Sequence, residues 1–184
     1  MSAVTRQTAE TRVRVVLRGT AGEQVAPRIA TGEPFLDHML VTLGRYAGVQ
    51  LEVEATGDLR HHVIEDVAIT VGLALRRETP PACARYGAAT VPMDEALVQA
   101  TLDLGGRFYY RGPLPSGLYD HFLRSLAENA AMTLHVRVLR GGQRHHVIEA
   151  AVKAVGLALR QALAPGGAVF STKGAVDVAW EEDA

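Results

Sequence analysis

The sequence predicts an α+β protein made of two similar halves, and three observations carry that prediction. The hexapeptide RHHVIE begins at Arg60 and, letter for letter, again at Arg144. The 17-residue stretches that begin there share 12 identical residues at a constant offset of 84. An Asp-His dipeptide precedes each copy, and strand-like and helix-like segments follow one another in the same order in both halves. Landmarks repeated in one order indicate the duplication of a half-domain.

The first half reads as strands interleaved with helices. Residues 11–17 (TRVRVVL) alternate polar and apolar side chains, which is the period of a half-buried strand. Pro34 leads into a segment with helical spacing, and we expect a helix over about residues 37–46. Residues 50–55 (QLEVEA) alternate again. A longer helix is expected from the first His-His pair to about Arg77.

The second half repeats the order. Strands are expected at residues 98–104 and 133–139, and helices at about 119–131 and from the second His-His pair to Leu163. Glycine-containing loops are expected at 19–22, 105–106, 111–117 and 164–167.

These elements predict one domain over residues 1–184. Each half reads β-β-α-β-α, and the economical architecture pairs the two sheets and layers the helices on them. The first half is expected to cover about residues 6–90 and the second about 91–184, with a boundary near Gly87–Val91.

Bulk composition excludes several classes of protein. At 184 residues the chain fits one compact domain, and a net charge of −1 gives no basic footprint for nucleic acid. Cys83 is the single cysteine, which excludes an internal disulfide framework and is typical of a reducing cytosol. No apolar stretch is long enough to cross a bilayer. We therefore expect a cytoplasmic protein with neither a nucleic-acid nor a membrane partner.

The repeated HHxxE motif has a geometric consequence if it lies on a helix. His61 and Glu65 are four residues apart and share one face. His62 is rotated by about 100° from His61, so two adjacent histidines are poorly placed to hold one ion. Each member of the pair is therefore expected to serve a different metal, and the second copy repeats the arrangement.

Pseudo-twofold symmetry sorts eight candidate ligands into two sets of three imidazoles and one carboxylate. One set is His61, Glu65, His121 and His146, and the other is His145, Glu149, His38 and His62. Nitrogen and oxygen donors of this kind suit Mn²⁺, Fe²⁺ or Zn²⁺. Four protein ligands on an octahedral ion leave two positions for water or substrate. His135 has no counterpart in the other half and is interpreted as structural.

The metal ligands alone leave the reaction open between a dinuclear hydrolase, a lyase and a structural protein assembled by metal. Longer motifs add to them: RQTAET, PFLDHML, GDLRHHVIED, PMDEAL, LDLGGR, DHFLRSLAENAAMTLH, HHVIEA and STKG occur in this order. Together they resemble imidazoleglycerol-phosphate dehydratase, a hydro-lyase of histidine biosynthesis, over nearly the whole chain.

The resemblance implies an activity, a cofactor and an assembly. The activity is dehydration of D-erythro-imidazole-glycerol phosphate to imidazole-acetol phosphate through a metal-bound imidazolate. The cofactor is two Mn²⁺ per subunit, with Fe²⁺ or Zn²⁺ as alternatives. The assembly is a homo-oligomer of 24 subunits with metal sites formed between subunits.

The resemblance also implies roles for individual residues. Glu10, Glu65 and Glu149 are the implied catalytic residues, with Glu10 near the substrate hydroxyls. The implied substrate- and phosphate-binding residues are Glu10, Arg85, Arg107, Lys153, Ser171, Thr172 and Lys173. The forked donors of arginine suit phosphate oxygens.

Two alternatives make different predictions. A dinuclear hydrolase of a small phosphate ester needs a carboxylate that bridges two metals, whereas each set here holds one glutamate and shares none. A non-catalytic, metal-assembled oligomer has no use for Glu10, Arg85, Arg107 or the STKG segment. The dehydratase interpretation uses all of these residues.

Overall fold

The computed structural model describes residues 3–19 and 27–166 of the chain. The first half contains β1 (Ala3–Gln7), β2 (Thr11–Gly19), β3 (Arg28–Ala30), α1 (Pro34–Ala47), β4 (Val49–Gly57) and α2 (Arg60–Glu78). The second half contains β5 (Tyr86–Met93), β6 (Ala96–Asp103), β7 (Tyr109–Arg111), α3 (Gly117–Asn129), β8 (Thr133–Arg140) and α4 (Arg144–Ala162). The order is β-β-β-α-β-α in both halves, one strand more than the predicted β-β-α-β-α, and β1 and β5 lie outside the residue ranges predicted for strands. The strands β3 and β7 span three residues each, which is too short for an alternating pattern to be recognised.

The two halves have the same sheet topology. Their strand orders are β1-β2-β4-β3 and β5-β6-β8-β7. The short strands β3 and β7 pair in parallel with β4 and β8, and the other pairs are antiparallel. The predicted α+β class and the duplication are confirmed by this correspondence.

The halves join through helices. α2 packs on β2 of its own sheet and on α3, while α4 packs on β5 and β6 of its own sheet and on α1. Among the described residues the two sheets share no strand pairing, so their association runs through the helix layer. The predicted division near residue 90 falls inside β5, which pairs with β6, and residues 79–85 link the two halves.

The hydrophobic core lies between each sheet and its helices. Val13 and Val53 of the first sheet and Ile64 and Val67 of α2 are fully buried, and so is Leu134 of the second sheet. Each fully buried aliphatic side chain contributes roughly 1.5–3 kcal/mol relative to an exposed one. Within the described ranges, no helix has the length and apolarity that a membrane crossing requires.

A duplicated glycine allows the helices of the two halves to approach closely. A Cβ on Gly72 of α2 would lie 2.7 Å from the Leu126 carbonyl oxygen of α3. A Cβ on Gly156 of α4 would lie 2.7 Å from the Tyr46 Cβ of α1. Both glycines belong to the repeated VGLALR motif, so the duplication repeats the helix contact along with the histidines.

Candidate metal centre

The repeated motifs place their polar side chains at corresponding ends of the helices. The two His-His pairs occupy the first turns of α2 and α4, and His38 and His121 lie in the first half of α1 and α3. His38, near the beginning of α1, contacts Glu149 near the beginning of α4, and Tyr46, near the end of α1, lies against Gly156 farther along α4. These two helices therefore run in the same direction. The ligand-bearing ends of helices from different halves therefore meet.

Three predicted ligands converge in what we call the Glu149 cluster, formed by His38, His145 and Glu149. The Nε2 atoms of His38 and His145 lie 3.2 Å and 3.1 Å from Glu149 Oε2. One donor atom from each of the three residues lies within 4.8 Å of the others, so the group can hold a metal ion. The Phe35 ring packs 5.1 Å from the His145 ring and restricts its orientation. All three belong to one predicted set.

Glu149 is buried but carries compensating partners. Only 7% of the residue is exposed, and Lys153 Nζ donates to its Oε1 at 2.9 Å. Burial raises the pKa of the Glu149 carboxyl, but hydrogen bonds from Lys153 and His38 outweigh it and the net pKa is lowered. Glu149 is therefore held as a carboxylate, the form that a metal requires.

The Glu65 cluster is the counterpart, formed by Glu65 and His121. Glu65 Oε1 lies 3.2 Å from His121 Nε2, and both side chains are nearly half exposed. The position that corresponds to Lys153 is Ile69, so no ammonium group is supplied from this turn. His61 precedes Glu65 by four residues on the same helix, and its ring lies 4.1 Å from the ring of His62.

The fourth predicted member of each set faces other carboxylates. His62 Nδ1 lies 2.8 Å from Asp58 Oδ1 and 3.5 Å from Glu10 Oε2. His146 Nδ1 lies 2.9 Å from Glu95 Oε2. One chain thus brings together three members of one set and two of the other, while His62 and His146 point elsewhere.

Sequence reasoning missed the carboxylates beside these two histidines. Asp94, Glu95 and His146 form a second described group whose donor atoms can hold a metal ion. Both carboxylates belong to the PMDEAL motif, which was the available signal. Asp58 lies two residues before the first repeat, so its place beside the helix N-terminus also follows from the sequence.

The aspartates of the two Asp-His pairs have a structural role in the described chain. Asp37 Oδ1 accepts hydrogen bonds from the Thr31 backbone N–H at 3.0 Å and hydroxyl at 2.6 Å. Asp120 Oδ1 accepts from the Leu114 backbone N–H at 2.9 Å and the Tyr110 hydroxyl at 2.7 Å. Each aspartate ties the preceding loop to its helix, and the next residue projects toward a cluster.

The predicted substrate contacts occupy different surroundings. Glu10 is exposed beside His62, and Arg107 is exposed as well. Arg85 forms a forked pair with Asp103, with Nε–Oδ1 at 2.6 Å and Nη2–Oδ2 at 3.0 Å. Ser171, Thr172 and Lys173 lie outside the described residues. His135 packs its ring 5.2 Å from that of Tyr109, in a contact between β7 and β8.

Comparison with known proteins gives one consistent result. A sequence model of imidazoleglycerol-phosphate dehydratase matches residues 31–159. The chain belongs to the imidazoleglycerol-phosphate dehydratase family. It is 48% identical to the enzyme of Pyrobaculum aerophilum, covering 92% of this chain and 96% of that one. It is 43% identical to the enzyme of Archaeoglobus fulgidus, covering 96% and 100%.

Solved structures of the family share the fold. The Pyrococcus furiosus structure has a TM-score of 0.82 at 36% identity and covers 94% of this chain and 99% of that chain. The Staphylococcus aureus structure has a TM-score of 0.76 at 34% identity, with 89% and 99% coverage. Family membership confirms the hydro-lyase interpretation and places the chain in histidine biosynthesis.

Proposed function

We propose that the chain dehydrates D-erythro-imidazole-glycerol phosphate to imidazole-acetol phosphate with two Mn²⁺ per subunit, Fe²⁺ or Zn²⁺ being alternatives. The observation that supports it best is the convergence of His38 from one half with His145 and Glu149 from the other. Nitrogen and oxygen donors of this kind fit these ions. When bound, the ions supply Lewis acidity that makes the substrate's imidazole ring proton easier to lose.

Proton transfer in this proposal falls to Glu10. Dehydration removes a hydroxyl from one carbon and a hydrogen from its neighbour, and the resulting enol becomes the ketone. The exposed Glu10 carboxylate lies on the β1–β2 turn, with its Oε2 3.5 Å from Nδ1 of the proposed ligand His62, so it would lie near the metal site that His62 completes. Glu65 and Glu149 act as metal-holding carboxylates, one in each cluster.

Hydrogen bonds and an ion pair hold the turn that carries Glu10. The Thr8 hydroxyl accepts from the backbone N–H of Glu10 at 3.1 Å and of Thr11 at 3.0 Å. The buried Asp66 carboxylate accepts from the Thr11 hydroxyl and pairs with Arg6. These bonds restrict the path of the turn, so the Glu10 carboxylate starts from a fixed backbone position.

Phosphate recognition is proposed for Arg85, Arg107 and the segment Ser171–Lys173. Arg85 lines a cavity of about 360 Å³ together with Arg76 and Gly106. Its fork on Asp103 uses two N–H groups and leaves three for an anion. Lys153 is proposed as a further substrate contact next to the Glu149 cluster, where its Nζ already bonds to Glu149.

The positions of His62 and His146 support an oligomeric site. Within the described residues neither contacts the glutamate of its predicted set, and both lie in the first turn of a helix beside exposed carboxylates, with side chains 22% and 23% exposed. We propose that they complete the metal sites of neighbouring subunits in a homo-oligomer of 24 copies. The cytoplasmic location, one domain over 1–184 and the halves 6–90 and 91–184 stay predictions.

One coupled experiment tests this function. The protein is stripped with chelator, Mn²⁺ is returned, and particle mass and imidazole-acetol phosphate are followed together. We expect metal to restore a much larger particle and dehydration, with about two ions per subunit. Recovery of the particle without product would support the metal-assembled alternative, and product without metal would refute metal dependence.

A further inference from the structure

His62 and His146 are held by carboxylates that come from different places in the two halves. In the first half Asp58, two residues before α2, accepts from His62 Nδ1 at 2.8 Å and from the Leu59 backbone N–H at 2.6 Å. In the second half the corresponding position, 84 residues on, is Gly142. The second half therefore has no carboxylate at the position that corresponds to Asp58.

Glu95 occupies the space that Gly142 leaves. A Cβ on Gly142 would lie 2.2 Å from Glu95 Cγ and 2.3 Å from Glu95 Oε1. From the β5–β6 turn, Glu95 Oε1 accepts from the Gln143 backbone N–H at 2.6 Å, and Oε2 lies 2.9 Å from His146 Nδ1. The remote glutamate thus makes both bonds that Asp58 makes locally.

The corresponding turn in the first half carries Glu10. Glu10 Oε2 is 3.5 Å from His62 Nδ1, beyond the 2.8 Å of Asp58, and its side chain is 55% exposed. Because Asp58 already holds His62, Glu10 is not needed for that task. The β1–β2 turn of the first half therefore carries the exposed carboxylate of Glu10. The β5–β6 turn of the second half carries the carboxylate of Glu95, which holds His146.

We infer that Asp58 and Glu95 are positioning residues that accept the Nδ1–H of His62 and His146 and so direct Nε2 of each ring to a metal. This inference rests on the proposed metal-binding role of the two histidines. A carboxylate on the distal nitrogen fixes the tautomer and ring orientation of a metal-binding histidine, and its loss typically weakens metal binding 10- to 100-fold.

A helix-capping role is the competing explanation, because both carboxylates also accept a backbone N–H at the start of a helix. Glu95→Gln separates the two roles. Glutamine supplies one acceptor oxygen where glutamate supplies two, so it retains the bond from Gln143 and the longer 3.2 Å contact of Oε1 with His146 Nδ1, but loses the 2.9 Å Oε2 bond to His146. Asp58→Asn is expected to have the smaller effect, since Asp58 accepts both bonds on the single Oδ1 that asparagine retains.

The test is Mn²⁺ titration of metal-free protein, with thermal unfolding of the same metal-free samples. We expect Glu95→Gln to weaken one of the two sites roughly 10- to 100-fold and leave the unfolding midpoint unchanged. Glu54→Gln, an exposed strand residue, is the matched control and should change neither. Glu95→Ala should weaken the same site, and Glu95→Ala combined with Gly142→Asp should restore it by copying the first-half arrangement.

The outcomes are distinguishable. Two tight sites in wild type, in Glu95→Gln and in Glu95→Ala would overturn the positioning role while leaving the proposed function intact. Restored stability without restored affinity in the Gly142→Asp double variant would show that Glu95 is a cap only. Wild-type protein that binds no Mn²⁺ would overturn the proposed metal centre and this inference with it.

Discussion

The Glu149 cluster and the Glu65 cluster descend from the same repeat, yet they differ in their surroundings. Glu149 is buried, bonds to two histidines and is supported by Lys153, whereas Glu65 is 42% exposed in its side chain and, among the described residues, pairs with His121 alone. A single difference between the helices, Lys153 in place of Ile69, supplies the ammonium group. The duplication thus preserved the donors and let their environments diverge. The difference lies in the carboxylates, because the histidines of both clusters are about half exposed.

Removal of the two glutamates should show this difference most strongly. Glu149→Ala leaves the Lys153 ammonium without its carboxylate in a mostly buried site, and we expect a loss of about 3 kcal/mol in unfolding free energy of the metal-free protein. Glu65→Ala should cost about 0.5 kcal/mol, as at an exposed site. Denaturant unfolding of both variants measures the contrast. Equal losses would mean that the burial difference has no energetic consequence.

The helix contacts should, by comparison, respond alike in both halves. Gly72→Ala and Gly156→Ala each place a methyl group 2.7 Å from an atom of the partner helix, and we expect each to cost about 2 kcal/mol. Gly117→Ala is the control, because nothing lies within 4 Å of its added Cβ. Chemical denaturation with parallel measurement of turnover checks the result. A neutral Gly72→Ala would argue that close helix approach does not set the Glu65–His121 distance.

Lys153 should matter for turnover more than for metal content. Lys153→Met removes the proposed charged contact with the substrate, worth about 1.5 kcal/mol, so kcat/KM should fall roughly tenfold. The variant should keep two Mn²⁺ per subunit, because every donor remains. Steady-state kinetics and metal analysis on the same preparation test this pair of expectations. Loss of the metal with the lysine would instead assign Lys153 to holding Glu149 in place.

The sequence predicted the parts of the site that follow from spacing. HHxxE on a helix placed His145 and Glu149 on one face, and the repeat predicted that each cluster draws on both halves. The structure shows His38 with Glu149 and His121 with Glu65, in agreement with that pairing of helices. The grouping of all eight ligands stays a prediction.

Features that depend on neighbouring elements could not be read from spacing. The burial of Glu149 results from what packs over α4, and the role of Glu95 results from a turn that lies 48 residues away from Gln143 in sequence. Three-residue strands such as β3 carry too few residues for a period to be visible. A local sequence pattern specifies which face of a helix or strand a residue occupies. The tertiary fold specifies which other residues pack against that face.

The central claim is that the duplication builds two separate metal sites, each spanning both halves. Mn²⁺ content per subunit, measured after gel filtration for wild type, His38→Ala, His121→Ala and the double variant, tests it most directly. The account predicts about two, one, one and no bound ions, because each substitution removes a donor from one cluster only. Single substitutions that remove both ions, or neither, would contradict two separate sites.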